Sequence, residues 1–314
     1  DVYNIIAADE PDGYDIGTIR LSYGSSSSGI SANLVTGVIS DGNGSTDQLN
    51  LTGGSQTRIE LEGSFYNDTI TGSDRDERFI LNGGDDTLDA GGGYDVLRYD
   101  RSGIDGGVTV DLAAGTASGT WYGAAFTHSI SNVEEVRGTR SGDDVLTASD
   151  TGSRLRGRGG DDILRGGDGV DTFVVGEGHD TIYGFDVIND EIDSSGGHFD
   201  SSMPEYSEVE VDGQASVRFE LGTGNSVTVA GVSGADLENG IAASMLSLAP
   251  GHMVDPVVAT VSGSAWVASI LYEAIGTLVT QTAKELTFSF DDAGTLYTLS
   301  VTGSGLSVTG EPAE

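Results

Sequence analysis

Seven aspartates and one glutamate of this 314-residue chain stand at a nine-residue phase within two runs, each followed two positions later by a large apolar residue. In the first run the acids are Asp68, Glu77, Asp86 and Asp95, with Ile70, Phe79, Leu88 and Leu97 behind them. In the second they are Asp144, Asp162, Asp171 and Asp180, with Leu146, Leu164, Phe173 and Ile182. Ser153 breaks the acidic series of the second run, while Leu155 keeps the apolar one. Carboxylates are hard oxygen donors, and a repeating array of them suits calcium, which takes about six to eight oxygens at roughly 2.3–2.6 Å.

The pattern is clearest from Gly157 to Tyr183, where three units follow in phase, and glycine is concentrated in the first four positions of each. Glycine there lets the backbone turn sharply at positive φ with its carbonyls pointed at a cation. The apolar eighth position falls on a very short strand and stacks on its counterparts in neighbouring turns. A nine-residue repeat of this composition is that of calcium-binding parallel β-rolls. A lone Gly-Asp-rich tract reads as linker or solvated loop, but invariant spacing of both Asp and apolar residue sets these runs apart.

The expected metal ligands are the carboxylates named above and the loop glycines Gly84, Gly91, Gly93, Gly157, Gly160, Gly166, Gly167, Gly169, Gly176 and Gly178. Glu77, on a longer side chain and in a glycine-poor turn, either completes the series or faces solvent. If one coil takes two nonapeptides, loops eighteen residues apart share an ion. Asp68 then pairs with Asp86, Glu77 with Asp95, Asp144 with Asp162, and Asp162 with Asp180, for about four to six ions per chain. The Ser153 turn stacks without a full metal site.

Composition agrees. Fifty acidic against 14 basic side chains give a net charge of −36, and 49 residues are glycine. Such charge opposes compaction unless cations neutralise it. It also argues against nucleic acid, which needs basic clusters. Cysteine is absent, so disulfides contribute nothing, and the chain suits the extracellular milieu, where calcium fills weak sites. No apolar run is long enough to span a membrane, and no N-terminal signal peptide is visible. The chain begins at Asp1 rather than Met, which implies processing or a piece of something longer.

Taken in order, the chain divides into an N-terminal β spacer (1–62), a first roll block (63–98), a second β spacer (99–138), a second roll block (139–183), a capping β region (184–245) and a C-terminal region (246–314). The segment Gly29-Ile-Ser-Ala-Asn-Leu-Val-Thr-Gly37 compares with Gly107-Val-Thr-Val-Asp-Leu-Ala-Ala-Gly115, and Ile59-Glu-Leu-Glu-Gly63 with Glu134-Glu-Val-Arg-Gly138. A tandem unit of roughly 75 to 78 residues is therefore built on the smaller repeat of nine. Its first copy is expected to begin upstream of residue 1. The period is expected to stop at Gly184, with residues 185–192 closing the roll and antiparallel strands near 209–211, 217–221 and 227–231 forming a cap. Residues 246–261 read as a linker. From Ser264 to Lys284 apolar residues at three- and four-residue steps predict an amphipathic helix, followed by a hairpin over 285–301.

The nonapeptides at 157–183, the spacer at 107–116 and the closing Asp171-Thr-Phe…Gly184-Phe-Asp resemble the RTX (repeats-in-toxin) family, over roughly residues 29–232. The resemblance implies an all-β fold: a right-handed parallel β-roll with an antiparallel β cap, here followed by a small C-terminal helix and hairpin. It also implies calcium in the turns, export through a type I secretion machinery, and folding on external calcium. Residues 246–314 match no part of that family. Many relatives are proteases, lipases or epimerases, but the chain shows no His-Glu-x-x-His and no nucleophile elbow, and its paired acids are accounted for by metal turns. The expectation is a non-enzymatic, secreted, calcium-binding protein. It is either structural or adhesive, self-associating or attached to a cell surface or matrix, or it is the folding module of a larger secreted toxin or hydrolase.

Overall fold

The computed structural model describes residues 1–7, 18–53, 58–187, 189–193, 206–222 and 224–239, and four C-terminal strands between 277 and 312. Three-residue strands separated by six-residue loops dominate the nonapeptide blocks, as at Thr69–Thr71, Thr87–Asp89, Val145–Thr147 and Ile163–Arg165. A strand that short has no stability alone. It persists here because successive nonapeptides are laid alternately into two parallel sheets, so each strand pairs with the strand one full coil away.

Sheet A gathers fifteen strands and sheet B eight. In sheet B the inward side chains stack in register as Leu61, Phe79, Leu97, Val136, Leu155, Phe173 and Ile192. In sheet A, Val110, Leu146, Leu164, Ile182 and Val229 do the same. All nine apolar residues at the eighth position are at most 1 % exposed. Both ladders belong to one continuous core, and each large aliphatic or aromatic side chain buried in it contributes about 1.5–3 kcal/mol.

The tandem unit read from the sequence is visible in the pairing. Strand Ser31–Asn33 is followed antiparallel by Val38–Ser40 and Thr46–Gly53, and the last returns to pair parallel with Val2–Ala7. Strand Thr109–Asp111 is followed antiparallel by Thr116–Trp121 and Ala124–Ser131, and the last returns to pair parallel with Thr87–Asp89. Each spacer is thus an antiparallel excursion in sheet A, after which the roll resumes at Thr69–Thr71 or Val145–Thr147.

The period does not stop at Gly184. A further coil follows, with Glu191–Asp193 pairing parallel to Thr172–Val174 and Ile192 stacked on Phe173. Its loop is one residue longer than the others, which hid the phase. Beyond it, Tyr206–Val211, Gln214–Gly222 and Asn225–Val229 form the expected antiparallel cap, joined to sheet A through His179–Tyr183. A short helix, Gly234–Asn239, follows.

The C-terminal helix expected over 264–284 is corrected in its last part: Thr277–Thr282 is a strand. Threonines at 277, 280 and 282 are β-branched and favour the strand. It is the outer member of a four-stranded antiparallel sheet with Glu285–Asp292, Thr295–Thr302 and Gly305–Pro312, which contains the expected hairpin. The proposed linker and residues 264–276 lie outside the described residues.

Replacing Phe173 with Ala should cost about 3–5 kcal/mol in calcium-saturated urea unfolding. Val170→Ala, three residues away at a side chain 64 % exposed, should stay within roughly 0.5 kcal/mol.

Candidate metal centre

The phased carboxylates lie not on the surface but inside the loops. Asp68, Glu77, Asp86, Asp95, Asp144, Asp162, Asp171 and Asp180 are all at most 2 % exposed. Glu77 is therefore part of the series and does not face solvent. Each expected pairing is present as a hydrogen bond. The backbone N–H of Asp68 donates to Asp86 Oδ1, Glu77 to Asp95, Asp144 to Asp162, and Asp162 to Asp180, at 2.8–3.1 Å and eighteen residues' separation. Ser153 donates likewise to Asp171 Oδ1, so the serine turn stacks without contributing a carboxylate.

The second carboxylate oxygen divides the series into two kinds of turn. In Asp68, Glu77, Asp171 and Asp180 it accepts the N–H of the residue four positions earlier, at 2.7–3.1 Å, and in Asp144 the N–H of Thr139. In Asp86, Asp95 and Asp162, Oδ2 is buried with no hydrogen-bond partner. The residue four positions before each, Asn82, Gly91 or Arg158, has a positive φ of 61°, 95° or 83°, which sets these turns apart from the capped ones, and the Gly91 N–H donates to Asp89 instead. A buried carboxylate oxygen without a donor is costly. A cation supplies what the backbone withholds.

The titration behaviour follows. Burial, with the neighbouring carboxylates adding to it, pushes Asp86, Asp95 and Asp162 up to about 8. Asp144 and Asp180, whose second oxygens are capped, reach about 6, again chiefly through burial. The central Asp162 feels both Asp180 and Asp144.

The glycines complete the cradle. Gly84, Gly93, Gly160 and Gly178, at the fourth position of their loops, all have φ of 111–116°, a conformation other residues adopt only with strain. A Cβ on Gly157 would lie 2.1 Å from Asp162 Oδ2, and one on Gly176 would lie 1.5 Å from the Arg158 carbonyl oxygen of the coil below. Gly91 also has positive φ, and Gly166, Gly167 and Gly169 sit at coil-to-coil contacts where a Cβ would meet backbone. Among the described residues no three acids or histidines gather into a ligand cluster. The oxygens beyond the paired carboxylates would come from loop carbonyls and water. The orphaned oxygens, the hard donor set and the crowded glycine loops fit calcium, which Asp68, Asp86, Glu77, Asp95, Asp144, Asp162 and Asp180 would hold between stacked loops. When bound, it supplies charge neutralisation for buried carboxylates.

Two members were not anticipated. Asp190 receives the Asp171 N–H on Oδ1 and the Asp186 N–H on Oδ2, both at 2.8 Å, and so carries the carboxylate series into the extra coil. The signal in the sequence is Asp190-Glu-Ile192, which keeps the acid-to-apolar step. The other is Glu134, whose carboxylate accepts the Asp95 N–H at 2.8 Å, a spacer residue standing in for the next nonapeptide.

Coils of this geometry define a calcium-binding β-roll. The family profile of the RTX calcium-binding nonapeptide repeat matches the chain in four copies, over residues 62–97, 139–173 and 148–182. No curated protein matches the chain. Both roll blocks are therefore RTX repeats and their cofactor is calcium. No helix among the described residues is long and apolar enough to cross a membrane.

Replacing Asp162 with Asn should weaken calcium binding at its position at least tenfold, by calorimetric titration, while raising the melting temperature of the calcium-free chain, since a buried charge is removed. Asp150→Ala, exposed and off the ligand phase, should change neither. The pH dependence also has a definite sign. Carboxyls raised in the folded state favour folding below their unfolded value near 4, and that stability is lost as pH rises to about 8. Thermal melts of the metal-free chain should fall across this window. Calcium affinity should rise across it, as protons cease to compete.

Proposed function

We propose that this protein is a secreted structural or adhesive element, a calcium-rigidified solenoid that presents its long sheets to a neighbouring copy or to a cell-surface or matrix partner. The observation that carries the reading is the duplicated spacer-and-roll unit, stacked so that one ladder of side chains in sheet B runs through both units. Solenoids of this kind offer extended surfaces rather than a single cleft. Catalysis is not part of the proposal. The roll carboxylates are engaged in stitching coils, and the two described histidines have ring nitrogens against Tyr99 and Ser226.

Export precedes folding in this reading. At −36, with three unpartnered buried carboxylate oxygens, the calcium-free chain is poorly able to close its loops, which suits passage through a type I secretion machinery in an unfolded state. Calcium outside the cell then drives closure. Removing calcium with a chelator at pH 8 should lower both the β circular dichroism and the melting temperature, and an unchanged spectrum and melt would refute the coupling.

The assembly reading is tested by light scattering during a calcium titration of the full chain and of a version ending at Ala249. Calcium-dependent particles that disappear on truncation would support assembly through the C-terminal region. Monomers at every calcium concentration would instead favour a folding module of a larger secreted protein.

A further inference from the structure

His128 is fully buried, and nothing in the nonapeptide pattern calls for it. Its place in the register explains it. Ser129 pairs with Thr87 on the adjacent parallel strand, so His128 occupies, beside Asp86, the position at which the next coil of a roll would carry its ligand aspartate. Asp86 itself stands in that relation to Asp68, as do Asp162 to Asp144 and Asp180 to Asp162. The first roll block ends at this edge, and an imidazole takes the place of the missing carboxylate.

The ring is held from three directions. It stacks on Phe126 with centroids 4.4 Å apart and on Tyr99 at 6.0 Å. Its Nδ1 lies 3.1 Å from the Tyr99 hydroxyl. Its Nε2 lies 3.3 Å from Asp86 Oδ2, and both of these buried atoms lack a hydrogen bond; the backbone of Gly84 and the charge of Asp85 also act on the ring. With Tyr99 donating to Nδ1, the imidazole carries its proton on Nε2, which faces Asp86 Oδ2 in close contact without closing a hydrogen bond. The same hairpin grips the loop elsewhere. The Thr127 N–H donates to Asp85 Oδ1 at 2.8 Å, and Trp121 lies 6.1 Å from Phe65 of the preceding calcium loop.

We propose that His128 is a positioning residue for the ion held at Asp86: its Nε2 stands against Asp86 Oδ2, the one oxygen of that carboxylate that no backbone N–H holds, so docking of the hairpin Thr116–Ser131 and filling of this ion position are coupled. The proposal rests on the calcium-binding reading of the roll. It is the arrangement by which a group in the second sphere aims a metal ligand, here supplied by the spacer rather than by the repeat.

The experiment uses the full chain with Trp266→Phe, so that Trp121 is the one tryptophan left, since the chain has two. Calcium is titrated by calorimetry and by Trp121 fluorescence. His128→Phe keeps the aromatic stack but has no N–H. It should weaken one ion by about 10–100-fold and move the Trp121 midpoint to higher calcium by the same factor, with the other ions unchanged. Tyr99→Phe, which frees Nδ1, should shift the same ion in the same direction by less. His128→Gln, which can place an amide N–H toward Asp86, should restore most of the affinity. Unchanged affinities and midpoint in His128→Phe and Tyr99→Phe would overturn the proposal. So would equal losses of thermal stability with and without calcium at unaltered affinity, since that is the mark of a core residue alone. A parent chain that takes up no calcium would refute the reading of the roll instead, which keeps the two failures apart.

Discussion

The structure depends on one hydrogen bond repeated along both edges of the roll: the backbone N–H of a ligand-phase residue donates to the carboxylate of the residue one coil further on, at 2.8–3.1 Å. Strands three residues long cannot hold two coils together unaided. A side-chain acceptor beneath each loop satisfies a backbone donor that would otherwise be buried and unpaired, and it sets the coil repeat at eighteen residues. The carboxylate has a second oxygen, and that oxygen must also be satisfied. Where the loop backbone turns an N–H back onto it, the turn closes on its own. Where Asn82, Gly91 or Arg158 is held at positive φ, the oxygen waits for a cation.

Charge and fold are thereby joined. A chain at −36 that buries carboxylates in pairs opposes its own compaction, and burial raises those groups to about 8 at Asp86, Asp95 and Asp162. Binding a divalent ion to the folded state alone shifts the equilibrium towards it by mass action. Arg158 shows where the design carries strain. A residue with a Cβ is held at φ 83° so that the turn beneath Asp162 stays open, which is the kind of local strain that gathers at functional positions. The apolar ladders supply the rest of the stability.

The spacers show how a repeat protein interrupts itself without breaking its core. Each is an antiparallel excursion within sheet A whose last strand returns to pair parallel with an earlier strand of the roll, Val2–Ala7 or Thr87–Asp89. Residues outside the nonapeptide code take over at the seams: Glu134 accepts the N–H of Asp95, and His128 stands beside Asp86. At the other end, Asp190 and Ile192 continue both series through a loop lengthened by one residue, so the roll ends in the antiparallel cap rather than at Gly184.

Much of this was legible in the sequence because the period of nine encodes two requirements at once, an acceptor for the next coil and an apolar side chain for the ladder. The ligand carboxylates, their partners eighteen residues away, the inward-facing residues and the duplicated unit all follow from that spacing. Three things did not. The Asp190 coil was concealed because one inserted residue shifts a phase without changing the contacts that phase represents. The strand at Thr277–Thr282 carries a helical pattern because apolar spacing over a short window satisfies a helical period, while pairing with Glu285–Asp292 depends on a partner strand that the local pattern does not contain. The third is the division into capped and open turns. Ligand aspartates of identical type and phase differ in whether their second oxygen is satisfied, and that depends on a backbone dihedral four residues earlier, which only the packing of one coil on the next decides.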